Sequence, residues 1–242
     1  MEWTGEAIVL GARPFSEAKA IAEVFARAEG RCAGVVHSGR RSAPVLQAGN
    51  RVQATWRARL AEQLGAFQSI ELLEPYAALA LADPSALAGL ASAIALVRGA
   101  TAERQPYPGL YDGLCVFLES LKEADLWPAV YARFELGLLA AMGYGLDLGE
   151  CALTGAREDL AWVSPKTGRA ACAGAGAPYA DKLLRLPPFL TRPEAPVESG
   201  DVADALALAG WFLETRLFDA RGEGAPPARG RLIHALGMAG RL

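Results

Sequence analysis

The chain has few of the residues on which most enzymes depend. Its 242 residues include only two histidines, His37 and His234. Neither lies in an HExxH pattern or beside a recognisable nucleophile motif, and the sequence has no phosphate-binding P-loop or Gly-rich dinucleotide turn. These absences argue against a metalloprotease, a nucleotide-dependent enzyme or a dehydrogenase. We therefore expect no catalytic residue and no cofactor, with an enzyme of unrecognised chemistry as an alternative.

The sequence shows neither the pattern of a secretory signal nor a long apolar run, so we expect neither a signal peptide nor a membrane span. It begins Met1-Glu2-Trp3, without a basic segment ahead of an apolar one. Residues 76–97 are the most hydrophobic stretch, but Asp83-Pro84 interrupts it, so a buried helix is favoured over a membrane span. The four cysteines are too widely spaced for the disulfide framework of a small secreted domain. We expect a cytoplasmic protein without a membrane partner.

Positive charge is scarce overall and concentrated in one segment. The chain has a net charge of -3. Between residues 27 and 59, however, seven arginines and one carboxylate, Glu29, leave a local net charge of +6. The arginines are Arg27, Arg31, Arg40, Arg41, Arg51, Arg57 and Arg59. Such segregation indicates an anion-binding surface, and the alternative is that these arginines are solvated or paired with acids from elsewhere in the fold.

Residues 1–78 have the pattern of a small β-barrel. Alternation is clearest at 51–60, where a period of two predicts Trp56 and Leu60 on a core face and the arginines on a wet face. Five strands are predicted, with a turn at 13–16 between the first two: 6–10, 19–25, 31–38, 51–60 and 66–73. Five short strands favour an OB-fold barrel. Phe15 and Phe67 are the possible stacking residues, so we expect electrostatic contact with nucleic acid and weak sequence specificity.

The rest of the chain reads as helices with one irregular insertion. Asp83 and Pro84 can begin a helix that Gly99 ends. Further helices are predicted at 110–126, 128–142, 202–218 and 229–238. The predicted fold is α+β and multidomain. Its parts are an OB-fold domain at 1–78, a helical domain at 79–148, a degenerate zinc-finger-like insertion at 149–185 and C-terminal helices at 186–242 that complete the helical domain.

The insertion keeps the spacing of a zinc ribbon but not its ligands. Cys151 is followed three positions later by Thr154, and Cys172 by Ala175, with residues 155–171 between them. A zinc ribbon has two Cys-x2-Cys pairs separated by roughly 15–20 residues. Three interpretations stay open: a degenerate knuckle that folds without metal, two unrelated buried cysteines, or a partial or intermolecular metal site. We expect no zinc, and Leu153, Trp162 and Tyr179 as the apolar residues that hold the insertion together.

Short motifs in a fixed order run along nearly the whole length of the chain. The first set, at 5–10, 13–17, 23–25, 30–31, 38–41 and 46–49, is fairly specific because both order and spacing hold. The motifs resume at 134–136, 138–139 and 142–144 and reach Cys151. In these residues the chain resembles the RecO family of bacterial recombinational-repair mediators. The resemblance implies an OB-fold, a helical domain and a zinc-finger-like insertion, where many members carry four cysteines and this chain carries two. It also implies that Ser38-Gly39-Arg40-Arg41 contacts DNA.

The same resemblance implies function and partners. RecO-family proteins bind single- and double-stranded DNA, anneal complementary strands, and help load recombinase with RecR and the single-stranded-DNA-binding protein. The acidic tail of the latter needs an apolar groove with a cation at its mouth. Phe134 and Leu138, four residues apart on one predicted helix, and Arg133 beside them are candidates for that groove, with plain core packing as the alternative. A rival function is an OB-fold adaptor that binds an acidic protein segment and no DNA.

Overall fold

The structure, a computed structural model, describes residues 1–37, 39, 43–60 and 63–242. Two compact units make up the chain, Met1–Ala124 and Asp125–Leu242. Two of the predicted helices therefore share a unit with the barrel instead of joining one bundle with the others. The domain limits at 78, 148 and 185 stay predictions. Within the described residues, no helix combines the length and the apolarity that crossing a lipid bilayer requires.

The first unit contains a closed five-stranded barrel with strand order β1-β2-β3-β5-β4. Its strands are β1 Glu2–Ser16, β2 Lys19–Ala26, β3 Gly30–His37, β4 Arg51–Arg57 and β5 Gly65–Glu74. Neighbours pair antiparallel except β3 and β5, which run parallel where Gly34 faces Gly65. This closure and strand order confirm the predicted OB-fold barrel.

Trp56 occupies the barrel core, as the alternation of β4 predicts. Val52, Ala54 and Trp56 are buried, and the indole Nε1 of Trp56 donates a hydrogen bond of 3.0 Å to the carbonyl of Ala33. A Cβ at Gly65 would collide with this indole, so glycine lets β5 begin close to it. The prediction fails for Leu60, because β4 ends at Arg57 and Leu60 is exposed.

Three helices complete the first unit: α1 Tyr76–Ala80, α2 Pro84–Ala100 and α3 Pro108–Ser120. The predicted cap of α2 is confirmed, since Asp83 Oδ1 accepts a hydrogen bond of 2.8 Å from the backbone N–H of Ser85. Buried contacts join these helices to the barrel. Asn50 Oδ1 accepts from the N–H of Ala77 at 3.1 Å, and the ring of Tyr111 lies 6.0 Å from that of Phe25 on β2.

The second unit combines helices with a three-stranded sheet of order β7-β6-β8. The helices are α4 Trp127–Ala141, the short α5 Ala173–Gly176, α6 Asp201–Phe212 and α7 Pro227–Met238. The strands are β6 Leu160–Val163, β7 Ala170–Cys172 and β8 Leu184–Arg185. A π-helical segment, Leu213–Phe218, extends α6, and 3-10 turns lie at Ala177–Lys182, Pro188–Leu190 and Asp219–Arg221.

A buried ion pair links three helices of this unit. The guanidinium of Arg229 on α7 donates to both carboxylate oxygens of Glu135 on α4, at 2.7 and 2.9 Å, and to the carbonyl of Leu206 on α6 at 2.6 Å. Glu135 is 0% exposed and Arg229 5%. Burial lowers the pKa of Arg229, but the Glu135 carboxylate outweighs that effect and raises it, so the guanidinium stays charged in the core.

Candidate nucleic-acid interface

The outward face of β4 carries part of the predicted basic surface. Arg51, Gln53, Thr55 and Arg57 alternate with the buried side chains, so the wet face that the pattern predicts is confirmed for this strand. Beyond its end, Arg59 is also exposed. A groove of about 520 Å³ lies here between Arg57, Arg59 and three neighbours, Met1, Ala58 and Gln68. These two guanidiniums can meet an anion that follows the barrel surface.

Acids from distant parts of the chain neutralise two of the other arginines, Arg27 and Arg51. Arg27 holds Asp112 through two hydrogen bonds of 2.8 and 2.9 Å, and this contact lowers the pKa of the Asp112 carboxyl. Arg51 donates to Glu6 through Nε at 3.0 Å. These partners are 85 and 45 residues away in sequence, which is why local charge counting misses them.

Arg31 serves the fold of the first unit. Its guanidinium pairs with Glu23 on the neighbouring strand and donates to the carbonyl of Thr101, after α2, at 3.1 Å. Arg98 on α2 reaches the same Glu23 at 2.8 Å. The side chain of Arg31 is only 18% exposed. Arg31 is therefore a poor candidate for phosphate contact, and its contacts instead fix α2 to the barrel. Arg40 and Arg41 lie outside the described residues, and their predicted DNA contact stays a prediction.

Two exposed cations and one aromatic residue are further candidates for the interface, in addition to Arg57 and Arg59. Arg13 and Lys19 lie at the far end of β1 and the start of β2, and both are exposed. Sequence reasoning passed over them because they lie outside the arginine-rich segment. Phe15, between them, is exposed, whereas Phe67 is buried in the barrel with its ring edge-on to Trp3 at 6.5 Å. Phe67 is therefore not available for stacking, and Phe15 is.

Two of the three side chains proposed for the peptide groove lie in the core of the second unit. Phe134 and Leu138 on α4 are 4% and 0% exposed and belong to the core of the second unit. Arg133 is half-buried and donates through Nε to the carbonyl of Phe189 at 3.1 Å, with its guanidinium 5.7 Å from the centre of the Phe189 ring. The same one-turn spacing describes a core stripe and a groove, so the sequence could not separate the two.

Comparison with known proteins decides the family. The profile described as "Recombination protein O N terminal" matches residues 1–76, and "Recombination protein O C terminal" matches residues 81–223. The chain belongs to the RecO family. A "DNA repair protein RecO" from Phenylobacterium zucineum is 47% identical over 244 residues, which cover 100% of both chains. One from Rhodospirillum centenum is 48% identical over 237 residues, 96% of this chain and 94% of the relative. Membership of this family places the chain in DNA repair and recombination.

In this RecO-family chain, the residues that keep the spacing of a zinc ribbon, Cys151, Thr154 and Cys172, lie close together. Their side chains do not fit zinc. Thr154 Oγ1 lies 3.8 Å from Cys172 Sγ. Cys151 is buried, and its sulfur accepts hydrogen bonds from the Thr154 hydroxyl and the backbone of Cys172. Two thiols and a hydroxyl do not make the closed four-ligand site of structural zinc. In the described residues, no three His, Cys, Asp or Glu side chains group closely enough to hold a metal ion.

Other residues than those expected hold this insertion together. Leu153 and Tyr179 are 63% and 54% exposed, so their predicted role in packing is wrong. Trp162 has the expected role: Gly176 packs against its indole, and the Arg185 guanidinium lies 4.8 Å from the ring centre. The buried hydrophobic residues of the insertion are Cys151, Val163, Ala170 and Ala171, and Leu186 and Phe189, which follow it, are buried as well. Packing of buried apolar side chains thus takes the place that a metal ion has in a zinc ribbon.

Proposed function

We propose that this RecO-family protein is a non-enzymatic, DNA-binding mediator of recombinational repair. In this proposal it binds single- and double-stranded DNA, anneals complementary strands and helps load recombinase onto DNA covered by the single-stranded-DNA-binding protein. RecR and the tail of that protein are its proposed partners, and the nucleoid in the cytoplasm is its proposed location. The observation that carries the proposal is the closed OB-fold barrel with the exposed Arg57–Arg59 groove on its wall.

The contact with DNA is expected to be mainly electrostatic. The exposed guanidiniums can reach phosphates, while the core-facing Trp56 cannot stack on a base. If about four to six phosphates are neutralised, the slope of log affinity against log salt on single strands is roughly -3 to -4, at about -0.7 per contact. Such binding depends little on base sequence.

The test is the salt slope of three variants on labelled single-stranded DNA. Arg57→Ala with Arg59→Ala, and separately Arg40→Ala with Arg41→Ala, should each flatten the slope by about 1.4, since each pair removes two phosphate contacts. Arg231→Ala is the control, because this exposed arginine lies on α7 in the other unit. A pair whose slope equals that of the wild type does not contact DNA.

The rival proposal is an OB-fold adaptor for an acidic protein segment. It gains support from the pairing of Arg27, Arg31 and Arg51 with acids, which leaves less free positive charge on the barrel than the sequence suggests. The same assay separates the two functions, because an adaptor would bind no single-stranded DNA at 50 mM salt. The tail-binding role of Arg133, Phe134 and Leu138 stays a prediction, with the basic barrel face as the next candidate.

A further inference from the structure

The end of β1 and the start of β2 form a two-stranded ribbon whose tip packs against no core. Strand β1 pairs with β4 only from Glu2 to Ile8 and then continues to Ser16, paired with β2 alone. From residue 12 to residue 19 every side chain is exposed, on both faces of the ribbon. We call residues 12–19 the hairpin arm. A segment that buries nothing contributes little to folding, so its side chains call for another explanation.

Phe15 is the one large apolar side chain of the hairpin arm. The register passes from Pro14 opposite Ala20 to Ser16 opposite Lys19, so Phe15 is an extra, unpaired residue in a β-bulge. Bulges re-aim the side chain of the extra residue. Phe15 is 56% exposed, and among the described residues no aromatic ring stacks on it. The face of this exposed phenyl ring is therefore available for a ligand.

Free cations flank this ring. Arg13 lies two residues before Phe15, Lys19 follows the turn, and His37 at the end of β3 pairs with Lys19. In the described part of the chain neither Arg13 nor Lys19 has an ion pair, unlike Arg27 or Arg51. Glu17 is the single acid of the hairpin arm. The arm therefore combines an exposed ring with unneutralised positive charge, which suits a polyanion that also carries flat rings.

We propose that Phe15 stacks on a base of single-stranded DNA while Arg13 and Lys19 contact the flanking phosphates. This inference rests on the proposed DNA binding and adds a base-stacking contact to it. Stacking needs a base whose face is free, which single strands offer and a paired duplex does not. A phenyl ring has no hydrogen-bonding group, so the contact adds affinity without reading sequence.

The experiment compares two probes of equal length, oligothymidylate and the same phosphodiester chain without bases. Phe15→Ala should weaken binding to oligothymidylate about five- to tenfold, since one stacked base is involved, and leave binding to the abasic chain unchanged. Its salt slope should equal that of the wild type. Phe15→Trp should restore the affinity, whereas Phe15→Leu, which keeps apolar bulk without a ring, should not. Arg13→Ala with Lys19→Ala should flatten the slope by about 1.4 on both probes.

Tyr179→Ala is the matched control, because Tyr179 is a similarly exposed aromatic residue in the other unit. Equal affinities of wild type and Phe15→Ala for oligothymidylate would overturn the stacking contact alone. An equal loss on both probes, or full rescue by Phe15→Leu, would overturn it as well. If the wild type binds neither probe at 50 mM salt, the proposed DNA binding itself is wrong.

Discussion

At the scale of single residues, the Cys151 thiol has an environment that strongly changes its chemistry. Burial raises the pKa of this thiol, but hydrogen bonds from the Thr154 hydroxyl and from the backbone of Cys172, Leu153 and Thr154 outweigh burial and lower it to about 6. These hydrogen bonds favour the thiolate form of Cys151, although two of the four positions of the zinc-ribbon spacing carry no thiol.

This thiolate predicts a pH dependence of stability. The pKa of Cys151 falls from its ordinary 9.0 to about 6 on folding. Its contribution is therefore fully present above pH 9 and is lost as the pH falls through 6. We expect the difference in melting temperature between wild type and Cys151→Ala to grow from pH 6 to pH 8.5. Cys115→Ala is the control, because burial raises the pKa of Cys115 and the thiol stays neutral in this range. A constant difference for Cys151→Ala would show that Cys151 folds as a thiol.

The sequence predicts the position of a single side chain when that position depends only on neighbouring residues in the chain. A period of two was enough to place Trp56 inside and Arg57 outside, because strand geometry alone fixes that alternation. The partner of Arg27 could not be predicted, because Asp112 reaches it only after α3 packs on the barrel. For the candidate interface, the sequence pattern predicted that arginines of β4 face outward. It could not predict which arginines of the basic segment pair with acids.

At the scale of elements, the Glu135–Arg229 pair fixes α4, α6 and α7 to one another. Removing one partner leaves a buried charge without compensation, which typically costs about 3–5 kcal/mol. Arg229→Met should lower the free energy of unfolding by that amount in urea denaturation. Adding Glu135→Leu should recover much of the loss, because no buried charge then remains. A double variant as unstable as Arg229→Met would mean that the lost hydrogen bond to Leu206 dominates.

Elements with capping signals were predictable, and those bounded by tertiary contacts were not. Asp83-Pro84 marks the start of α2 because the cap satisfies local N–H groups. Pro14 suggested a turn, yet it lies within β1. A proline is tolerated there because β4 pairs with β1 only as far as Ile8, which leaves the other edge of β1 free at Pro14. The turn follows at residues 17–18.

At the scale of the whole molecule, a chain of net charge -3 must bind a polyanion through a local surface. Acids at the edge of that surface then matter more than acids elsewhere. Glu2 lies 3.9 Å from Arg57, and both side chains are exposed. The ion pair itself contributes little to stability, but the carboxylate repels phosphates and competes with them for Arg57.

Glu2→Gln should therefore tighten single-stranded DNA binding about two- to fivefold at 0.1 M salt, given that a unit charge at 4 Å in water is worth about 1 kcal/mol. The gain should shrink as salt rises, because screening weakens the contact of exposed charges. Glu223→Gln makes the same change in net charge on the other unit and should gain far less. Equal gains in the two variants would show that net charge controls the affinity. A gain confined to Glu2→Gln would locate the DNA path on the wall of the barrel beside Arg57.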